Sequence, residues 1–419
     1  MTSRPSKTAG TEQGLQRLRR QYLALYPVRH VNFDLSNGAD SDAEPLYRHQ
    51  EWIYEHMLSW TYQPAKDYQR KFLKGLIDTV EDGLRTEEAV QEEWELDDRL
   101  ADRYSELLAA STPSLTVSSP EPSYKTYIYN HHGVEKNITL FEAQTTIEAG
   151  STGLRTWTAS LFLAEAILHQ PNLLWRSSKS PNQRSVEFES SRTPPYPPVL
   201  ELGAGTGFLS IFLSQIGYNS IWSSDVGDDP VSFGSPGETD EAGGHLSRFE
   251  NRDAAETRRR GPLDGLIANI ELNGDAVKGE IKPLRLDWFH SSEGSGSKDE
   301  VAAMIRFSQD LPSDLTLVAT DVIYDPDLIE PLVSTIKLFL THLPPEDFAP
   351  IRSAVIAATV RNENTLVEFQ RVCAAKRLTV EVIIVNRNEV PAVFWNANTW
   401  EGNDVVTMRI TSDPTSANT

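Results

Sequence analysis

Residues 199–208 read Val-Leu-Glu-Leu-Gly-Ala-Gly-Thr-Gly-Phe, and this stretch decides the fold. Its first four residues predict a short buried strand, and the apolar run over 206–216 predicts a helix. The glycines between them allow a sharp turn and a close approach to a ligand, because glycine has no Cβ. This order of strand, glycine turn and helix predicts a cofactor site in an α/β sheet.

The spacing of these glycines distinguishes two classes of cofactor. A dinucleotide-binding turn has glycine at its first, third and sixth positions, whereas Phe208 occupies the sixth position here. The pattern starting at Gly203, with Glu201 two residues earlier, resembles the first motif of S-adenosylmethionine-dependent enzymes. The Glu201 carboxylate suits the ammonium group of a methionine, directly or through water. A tight turn that binds no ligand is the alternative.

Helices and apolar strands alternate from Gly153 onward, which predicts a doubly wound sheet. After the strand at 199–202, six more are expected, at 219–224, 281–286, 315–320, 353–360, 378–386 and 404–411. Helices are expected at 157–170, 262–273, 327–341 and 363–376. The predicted fold class is α/β, with a Rossmann-like seven-strand methyltransferase sheet and an N-terminal helical domain.

The first part of the chain has a different pattern. Helical spacing of apolar residues begins at Leu15 and returns in 46–63, 66–82 and 86–110. A linker rich in Ser, Thr and Pro follows, and then two strands flank the turn at 131–133. The expected domains are therefore an N-terminal helical region with its linker, 1–122, and a methyltransferase domain, 123–419.

Three polar segments interrupt the second region, at 171–197, 226–260 and 290–310. The first is expected to be a polar, proline-rich loop. The other two are rich in Gly, Ser, Asp and Glu and are expected to be mobile surface loops.

Composition excludes several functions. The chain of 419 residues has 39 Lys and Arg against 60 Asp and Glu, a net charge of −21, which disfavours binding to nucleic acid. It has no apolar run long enough to span a bilayer, and Met1 to Gly10 lack the apolar core of a secretory signal, so neither a membrane span nor a leader is expected. Cys373 is the only cysteine, which excludes an intrachain disulfide and a cysteine-based zinc site. No metal site is predicted, and a cytoplasmic monomer is expected.

Acidic and aromatic residues follow the next two strands. Asp225 ends the second strand, where a carboxylate can accept hydrogen bonds from ribose hydroxyls. A helix cap or a solvated loop acid is the alternative. Asp287 and Trp288 follow the third strand, where the acid can accept from an adenine amino group and the indole can stack on the ring. A tryptophan in the core is the alternative for Trp288.

The fourth strand ends at Thr320 and is followed by Asp321 and Tyr324. Carboxyl ends of strands in such sheets open onto the ligand crevice, so these side chains are placed to meet an acceptor. A carboxylate and a phenol can orient a lysine ammonium and help its proton leave through water. The alternative is that Asp321 caps the following helix and Tyr324 packs in the core.

The ordered set of motifs resembles the seven-strand protein-lysine methyltransferases that modify translation elongation factor 2, in a fungal-like form, over roughly 124–411. The matching segments are Gly153-Leu154-Arg155-Thr156-Trp157, Leu163-Ala164-Glu165, Glu201 to Gly207, Leu286-Asp287-Trp288, Asp321 to Tyr324, and Thr359-Val360-Arg361-Asn362. The resemblance implies a cofactor site that contains Trp157, Gly203, Ala204, Gly205, Asp225, Trp288 and Thr320, and the positions of Glu201 and Asp287 add these two acids to the expected site. It also implies an acceptor site at Asp321 and Tyr324, with S-adenosyl-L-methionine as cofactor and elongation factor 2 as protein substrate.

Other functions remain open at this point. The chain is expected to be a protein-lysine N-methyltransferase, but a methyltransferase for another protein or a small molecule fits the same motifs. A non-catalytic scaffold that binds the cofactor is a second alternative, and an NAD-linked oxidoreductase is disfavoured by Phe208. Arg155 and Arg361 can hold acidic substrate groups or form ordinary ion pairs.

Overall fold

The computed structural model describes the greater part of the chain. The described residues are 7–36, 43–110, 121–144, 153–175, 196–227, 261–292, 296–344, 352–385, 390, 392–395 and 404–412. They form two compact units. The first comprises Met1–Thr146 with Ala392–Glu401, and the second comprises Ile147–Pro391 with Gly402–Thr419.

Helices dominate the first unit. They are α1 (Lys7–Leu23), α2 (Gln50–Ile53), α3 (Lys66–Leu84), α4 (Glu87–Gln91) and α5 (Asp98–Ala109). Helix α2 lies between a 3₁₀ turn, Leu46–His49, and a π-helical turn, Tyr54–Leu58. The apolar faces of these elements share one core, which contains Leu18, Tyr22 and Phe72. The helical pattern expected over 86–110 forms two helices, because Asp97 accepts a hydrogen bond from the Arg99 amide and starts α5.

A hairpin completes this unit. Strands β1 (Ser123–His131) and β2 (Val134–Glu142) pair antiparallel, with Thr126 opposite Thr139, which confirms the expected hairpin. Ile128 belongs to the core of the helical unit. The compact units therefore divide at Thr146 and Ile147, later than the boundary at 122/123 expected from the sequence. The hairpin groups with the helices because its apolar side chains are buried against them.

The second unit contains one sheet of seven strands. They are β3 (Val199–Leu202), β4 (Ser220–Asp225), β5 (Glu280–Arg285), β6 (Thr316–Thr320), β7 (Ser353–Thr359), β8 (Leu378–Ile383) and β9 (Val405–Ser412). Their order is β5-β4-β3-β6-β7-β9-β8. The first five strands in this order are parallel, and β9 is antiparallel to both neighbours. This arrangement confirms the seven-strand methyltransferase sheet.

Six helices flank this sheet in the described residues. They are α6 (Thr158–His169), α7 (Phe208–Ile216), α8 (Pro262–Leu272), α9 (Lys298–Asp310), α10 (Pro326–Thr341) and α11 (Glu363–Ala375). None of the helices that the structure describes combines the length and apolarity needed to cross a bilayer.

Helix α9 corrects one expectation. The loop predicted over 290–310 is wrong for 298–310, which is helical. Ser297 and Glu300 form a reciprocal capping box at its start, and Met304 and Ser308 are its buried residues. Because only a narrow face of this helix is buried, its composition is mostly polar and resembles that of a loop. Of the other two polar segments, residues 176–195 and 228–260 lie outside the described part of the chain.

The parallel strands bring the predicted site residues to one edge of the sheet. Leu202 pairs with Ser224 on one side and with Ala319 on the other. The turns that follow these three strands therefore lie side by side at the carboxyl edge. In an open α/β sheet this edge is where ligands bind.

Candidate active site

A cavity of about 890 Å³ opens at this carboxyl edge. Its walls come from the segment before α6 and from the turns after β3, β4, β5 and β6. The predicted residues that line it are Trp157, Gly203, Ala204, Gly205, Asp225, Asp287, Trp288, Thr320, Asp321 and Tyr324. The volume is within the range of small-molecule sites, roughly 300–1,000 Å³.

The glycine turn forms one wall of the cavity. Gly203 and Gly205 have φ values of +67° and +55°, in the left-handed region that favours glycine. A Cβ on Gly203 would lie 3.0 Å from Cγ1 of Val322, and one on Gly205 would lie 3.0 Å from the Gly153 carbonyl oxygen. The turn is therefore tight both in backbone conformation and in the space around it.

Asp225 fastens the glycine turn to the end of β4. Its Oδ2 accepts a hydrogen bond from the Gly205 amide at 2.7 Å, and its Oδ1 accepts from the Val226 amide at 2.8 Å. Burial raises the pKa of Asp225 to about 6, although both amides act in the opposite direction. The side chain is therefore neither a helix cap nor a solvated loop acid. Each carboxylate oxygen keeps a second lone pair for a hydroxyl donor.

Glu201 does not line the cavity. The residue is 1% exposed, and its Oε2 accepts a hydrogen bond from the Ser210 hydroxyl of α7. The hydroxyls of Ser210 and Ser223 are 2.8 Å apart, so the carboxyl group belongs to a buried polar cluster. Burial raises the pKa of Glu201 to about 8. Glu201 therefore ties β3 to α7 beneath the glycine turn.

Trp157 also lines the cavity and lies immediately before α6. The guanidinium carbon of Arg361 is 4.7 Å from the centroid of its ring, and that of Arg155 is 5.6 Å away. Both distances are within the range of a cation–π contact. Arg361 also forms an ion pair with Asp321, with 3.6 Å between Nη2 and Oδ2.

Asp287 and Trp288 close the side of the cavity next to β5. Asp287 Oδ1 accepts a hydrogen bond from the Phe289 amide at 3.0 Å and starts a 3₁₀ turn, Trp288–Ser291. Trp288 is partly buried against the main core and still lines the cavity. Its ring lies 3.2 Å from the position of a Cβ on Gly203. The indole therefore lies beside the glycine turn, where an aromatic ring of a ligand can stack.

Asp321 is hydrogen-bonded to two other segments of the chain, at Ala159 and Thr359. It has a φ of +55°, and its Oδ1 accepts from the Thr359 amide at 2.8 Å. Its Oδ2 accepts from the Ala159 amide and the Thr359 hydroxyl, each at 3.0 Å. Asp321 therefore caps a helix, but the helix is α6 rather than the following α10. Asp325 caps α10, accepting from the Asp327 amide at 3.0 Å.

Tyr324 lies at the rim of the cavity and is 43% exposed, so it is not a core residue. Phe289, from the turn after β5, lines the same cavity and is 42% exposed. Large exposed aromatic side chains at the rim can contact an incoming partner or a methylated cation.

Several residues that form or support the site were not identified from the sequence. The hydroxyls of Thr156 and Thr206 are 2.7 Å apart and join the segment before α6 to the glycine turn. Asn269 of α8 donates to the Thr206 carbonyl oxygen at 3.0 Å. Phe289 and Val226 contribute apolar surface to the cavity. Thr156 was visible only as part of a motif, and no sequence signal indicated that α8 supports the turn.

Comparison with known proteins adds three relatives named as protein-lysine N-methyltransferases. EFM3 of Chaetomium thermophilum is 27% identical over 342 residues, which is 79% of this chain and 80% of that protein. EEF2KMT of Homo sapiens is 25% identical over 366 residues, 86% of this chain and 87% of that protein. EFM3 of Saccharomyces cerevisiae is 26% identical over 310 residues, 72% of this chain and 70% of that protein. This chain is a homologue of these methyltransferases.

The protein is accordingly an S-adenosylmethionine-dependent methyltransferase, as the glycine turn and the strand order indicated. No protein-family model matches the chain. The solved structure of TYW2 from P. horikoshii in complex with MeSAdo is 14% identical, covers 75% of this chain and 83% of its own, and has a TM-score of 0.32. This TM-score is too low to support the fold assignment, which rests on the order and direction of the seven strands.

The residues of the methyltransferase cavity fit this cofactor. Four carboxylates line it, Asp225, Asp287, Asp321 and Asp325, whereas two guanidiniums lie near them, Arg155 in the lining and Arg361 paired with Asp321. This excess of negative charge favours a cationic sulfonium, and the indoles of Trp157 and Trp288 suit its adenine and cationic parts. Among the described residues, no group of three or more His, Cys, Asp or Glu side chains is arranged to hold a metal ion.

Proposed function

We propose that this enzyme transfers methyl groups to a lysine side chain of a protein, translation elongation factor 2. The observation that carries the proposal is the acidic cavity with Tyr324 exposed at its rim, because such a site attracts a cationic side chain. The relatives named as protein-lysine N-methyltransferases support a lysine acceptor. The name EEF2KMT supports elongation factor 2.

The cofactor, when bound, supplies an electrophilic methyl group on a sulfonium. We assign its binding to Trp157, Gly203, Ala204, Gly205, Asp225, Asp287, Trp288 and Thr320, which line the cavity. Asp225 would accept hydrogen bonds from the ribose hydroxyls, and Trp288 would pack against the adenine. Glu201 acts indirectly, because its hydrogen bond with Ser210 fixes the start of the glycine turn.

Asp321 and Tyr324 act on the acceptor side. A lysine amine must lose a proton before it attacks, and it must lie in line with the methyl group. Tyr324 is exposed at the cavity rim. Its phenol oxygen can accept a hydrogen bond from the ammonium, and its hydroxyl can donate one to the neutral amine. The Asp321 oxygens already accept three hydrogen bonds, so Asp321 orients the site and contributes negative charge while the proton leaves through water.

The direct experiment is transfer of labelled methyl groups from S-adenosylmethionine to purified elongation factor 2 and, separately, to whole-cell lysate. Mass spectrometry then locates the label. We expect one labelled lysine of elongation factor 2, with Tyr324→Phe lowering kcat more than it weakens S-adenosylhomocysteine binding. Tyr62→Phe removes a phenol of the N-terminal unit that does not line the cavity, so this control should leave both unchanged.

Other outcomes decide among the alternatives. Label on another protein or a small molecule would keep the methyltransferase and replace the acceptor. Cofactor binding without transfer to any fraction would favour a scaffold. We further propose that the protein is a monomer, which size-exclusion chromatography with light scattering tests. The proposed location is the cytoplasm, the compartment in which translation occurs, and no nucleic-acid or membrane partner is proposed.

A further inference from the structure

Trp157 is in contact with two cationic side chains, and one of them also reaches the acceptor motif. The guanidinium carbon of Arg361 lies 4.7 Å from the Trp157 ring centroid, closer than that of Arg155 at 5.6 Å. Arg361 Nη2 lies 3.6 Å from Asp321 Oδ2. Arg361 therefore bridges a residue of the cofactor wall and a residue of the acceptor motif.

The bridge joins three segments that are far apart in sequence. Trp157 precedes α6, Asp321 follows β6, and Arg361 follows β7. The neighbouring Val360 amide donates to the Asp404 carbonyl oxygen at 2.8 Å, which fixes the backbone beside Arg361. Arg361 itself is not among the residues that line the cavity, and its side chain is 41% exposed. It therefore acts through Trp157 and Asp321.

We propose that Arg361 is a positioning residue that holds the Trp157 indole in the orientation required for cofactor binding and ties that indole to Asp321. The proposal rests on the function proposed above. A guanidinium is suited to this role because its face can lie over an indole while its edge meets a carboxylate. Fixing the indole before the cofactor arrives reduces the conformational entropy lost on binding.

The first test measures Trp157 in the absence of cofactor. The full-length protein is labelled with 5-fluorotryptophan at its nine tryptophans, and Trp157→Phe identifies the resonance of Trp157 by ¹⁹F NMR. Arg361→Ala should move or broaden that resonance. Arg371→Ala is the matched control, because Arg371 is an exposed arginine of α11 paired with Glu368 and should leave the resonance unchanged.

The second test measures S-adenosylhomocysteine binding by calorimetry. Arg361→Ala should weaken binding by about tenfold, the size expected for loss of a partly exposed cation–π contact and its preorganising effect. Arg361→Lys keeps the positive charge near Asp321 but loses the planar fork, so its affinity should lie between those of wild type and Arg361→Ala. Arg371→Ala should bind as wild type does.

Two results would overturn the proposal. One is an unmoved Trp157 resonance in Arg361→Ala, and the other is a moved resonance with affinity within twofold of wild type. Neither measurement requires methyl transfer. If wild type binds S-adenosylhomocysteine and Arg361→Ala behaves as expected while elongation factor 2 stays unlabelled, the proposed substrate fails and the positioning role stands.

Discussion

The Asp321 carboxylate accepts a hydrogen bond from the Ala159 amide at 3.0 Å, although 162 residues separate them in the chain. Trp157, at the N-cap position of α6, makes no side-chain capping hydrogen bond. An N-cap normally supplies a side-chain oxygen to the first amides of its helix, and here Asp321 supplies it from another segment. The residue expected to face the acceptor therefore also joins β6, β7 and α6.

Asp321→Ala should destabilise the protein far more than a neighbouring aspartate change does. It leaves the buried amides of Ala159 and Thr359 without their acceptor, and we expect the free energy of unfolding to fall by about 2–4 kcal/mol. Asp325→Ala removes only the exposed cap of α10 and should cost about 1 kcal/mol. Urea denaturation compares the two variants, and equal losses would refute the central role of Asp321.

Gly205→Ala should abolish cofactor binding, because the new Cβ meets the Gly153 carbonyl oxygen and the backbone is left-handed. Gly133→Ala is the matched control, since Gly133 has φ +78° in the hairpin turn with open space around it. Both variants should lose about 1–2 kcal/mol of stability from the left-handed conformation. Calorimetry with S-adenosylhomocysteine should separate them, and normal binding by Gly205→Ala would exclude this turn from the cofactor site.

Glu201 should make stability fall as pH rises. Burial raises its pKa from 4.5 to about 8, so the folded protein holds a proton that the unfolded chain has released between these values. This contribution is fully present below about pH 4.5 and lost as pH rises through about 8, at no more than about 1.4 kcal/mol per pH unit.

Glu201→Gln stays uncharged throughout and should remove this slope. The prediction is checked by denaturation from about pH 6 to about pH 8. Asp225, with a pKa of about 6, is mostly ionised in this range, so its own titration contributes little to the slope. An unchanged slope in the variant would show that another group is responsible.

Asp225 should make cofactor affinity rise with pH. Its pKa is raised by burial to about 6, and the ionised carboxylate is the better acceptor for ribose hydroxyls. The affinity for S-adenosylhomocysteine should increase by up to about tenfold from pH ~5 to pH ~7. Asp225→Asn should bind more weakly and show no such dependence. The same pH profile in this variant would assign the titration to a different residue.

Much of this fold was predictable because its signals are local. The central strands β3, β6 and β7 are short apolar runs, and the glycine turn carries its own backbone requirement at Gly203 and Gly205. Helix α9 was missed because few of its residues are buried, so its composition resembles that of a loop. That the hairpin shares the core of the helical unit through Ile128 could not be predicted, because it depends on packing rather than on pattern.

The site was predictable to the extent that strand ends identify it. The positions of Asp225, Trp288 and Tyr324 followed from the strands that precede them, because parallel strands end at one edge. The direction of Glu201 did not follow, since β3 is buried on both faces and alternation along the strand carries no signal there.

The sequence by itself determined the strand, turn and helix elements and the chemistry of the cofactor motif, because these depend on residues within a few positions of one another. Only the tertiary structure decided which partners the side chains have. Asp321 meets Ala159 and Thr359, and Arg361 meets Trp157, because the sheet brings separate segments together. Such long-range contacts depend on the packing of the whole unit, and no local pattern records them.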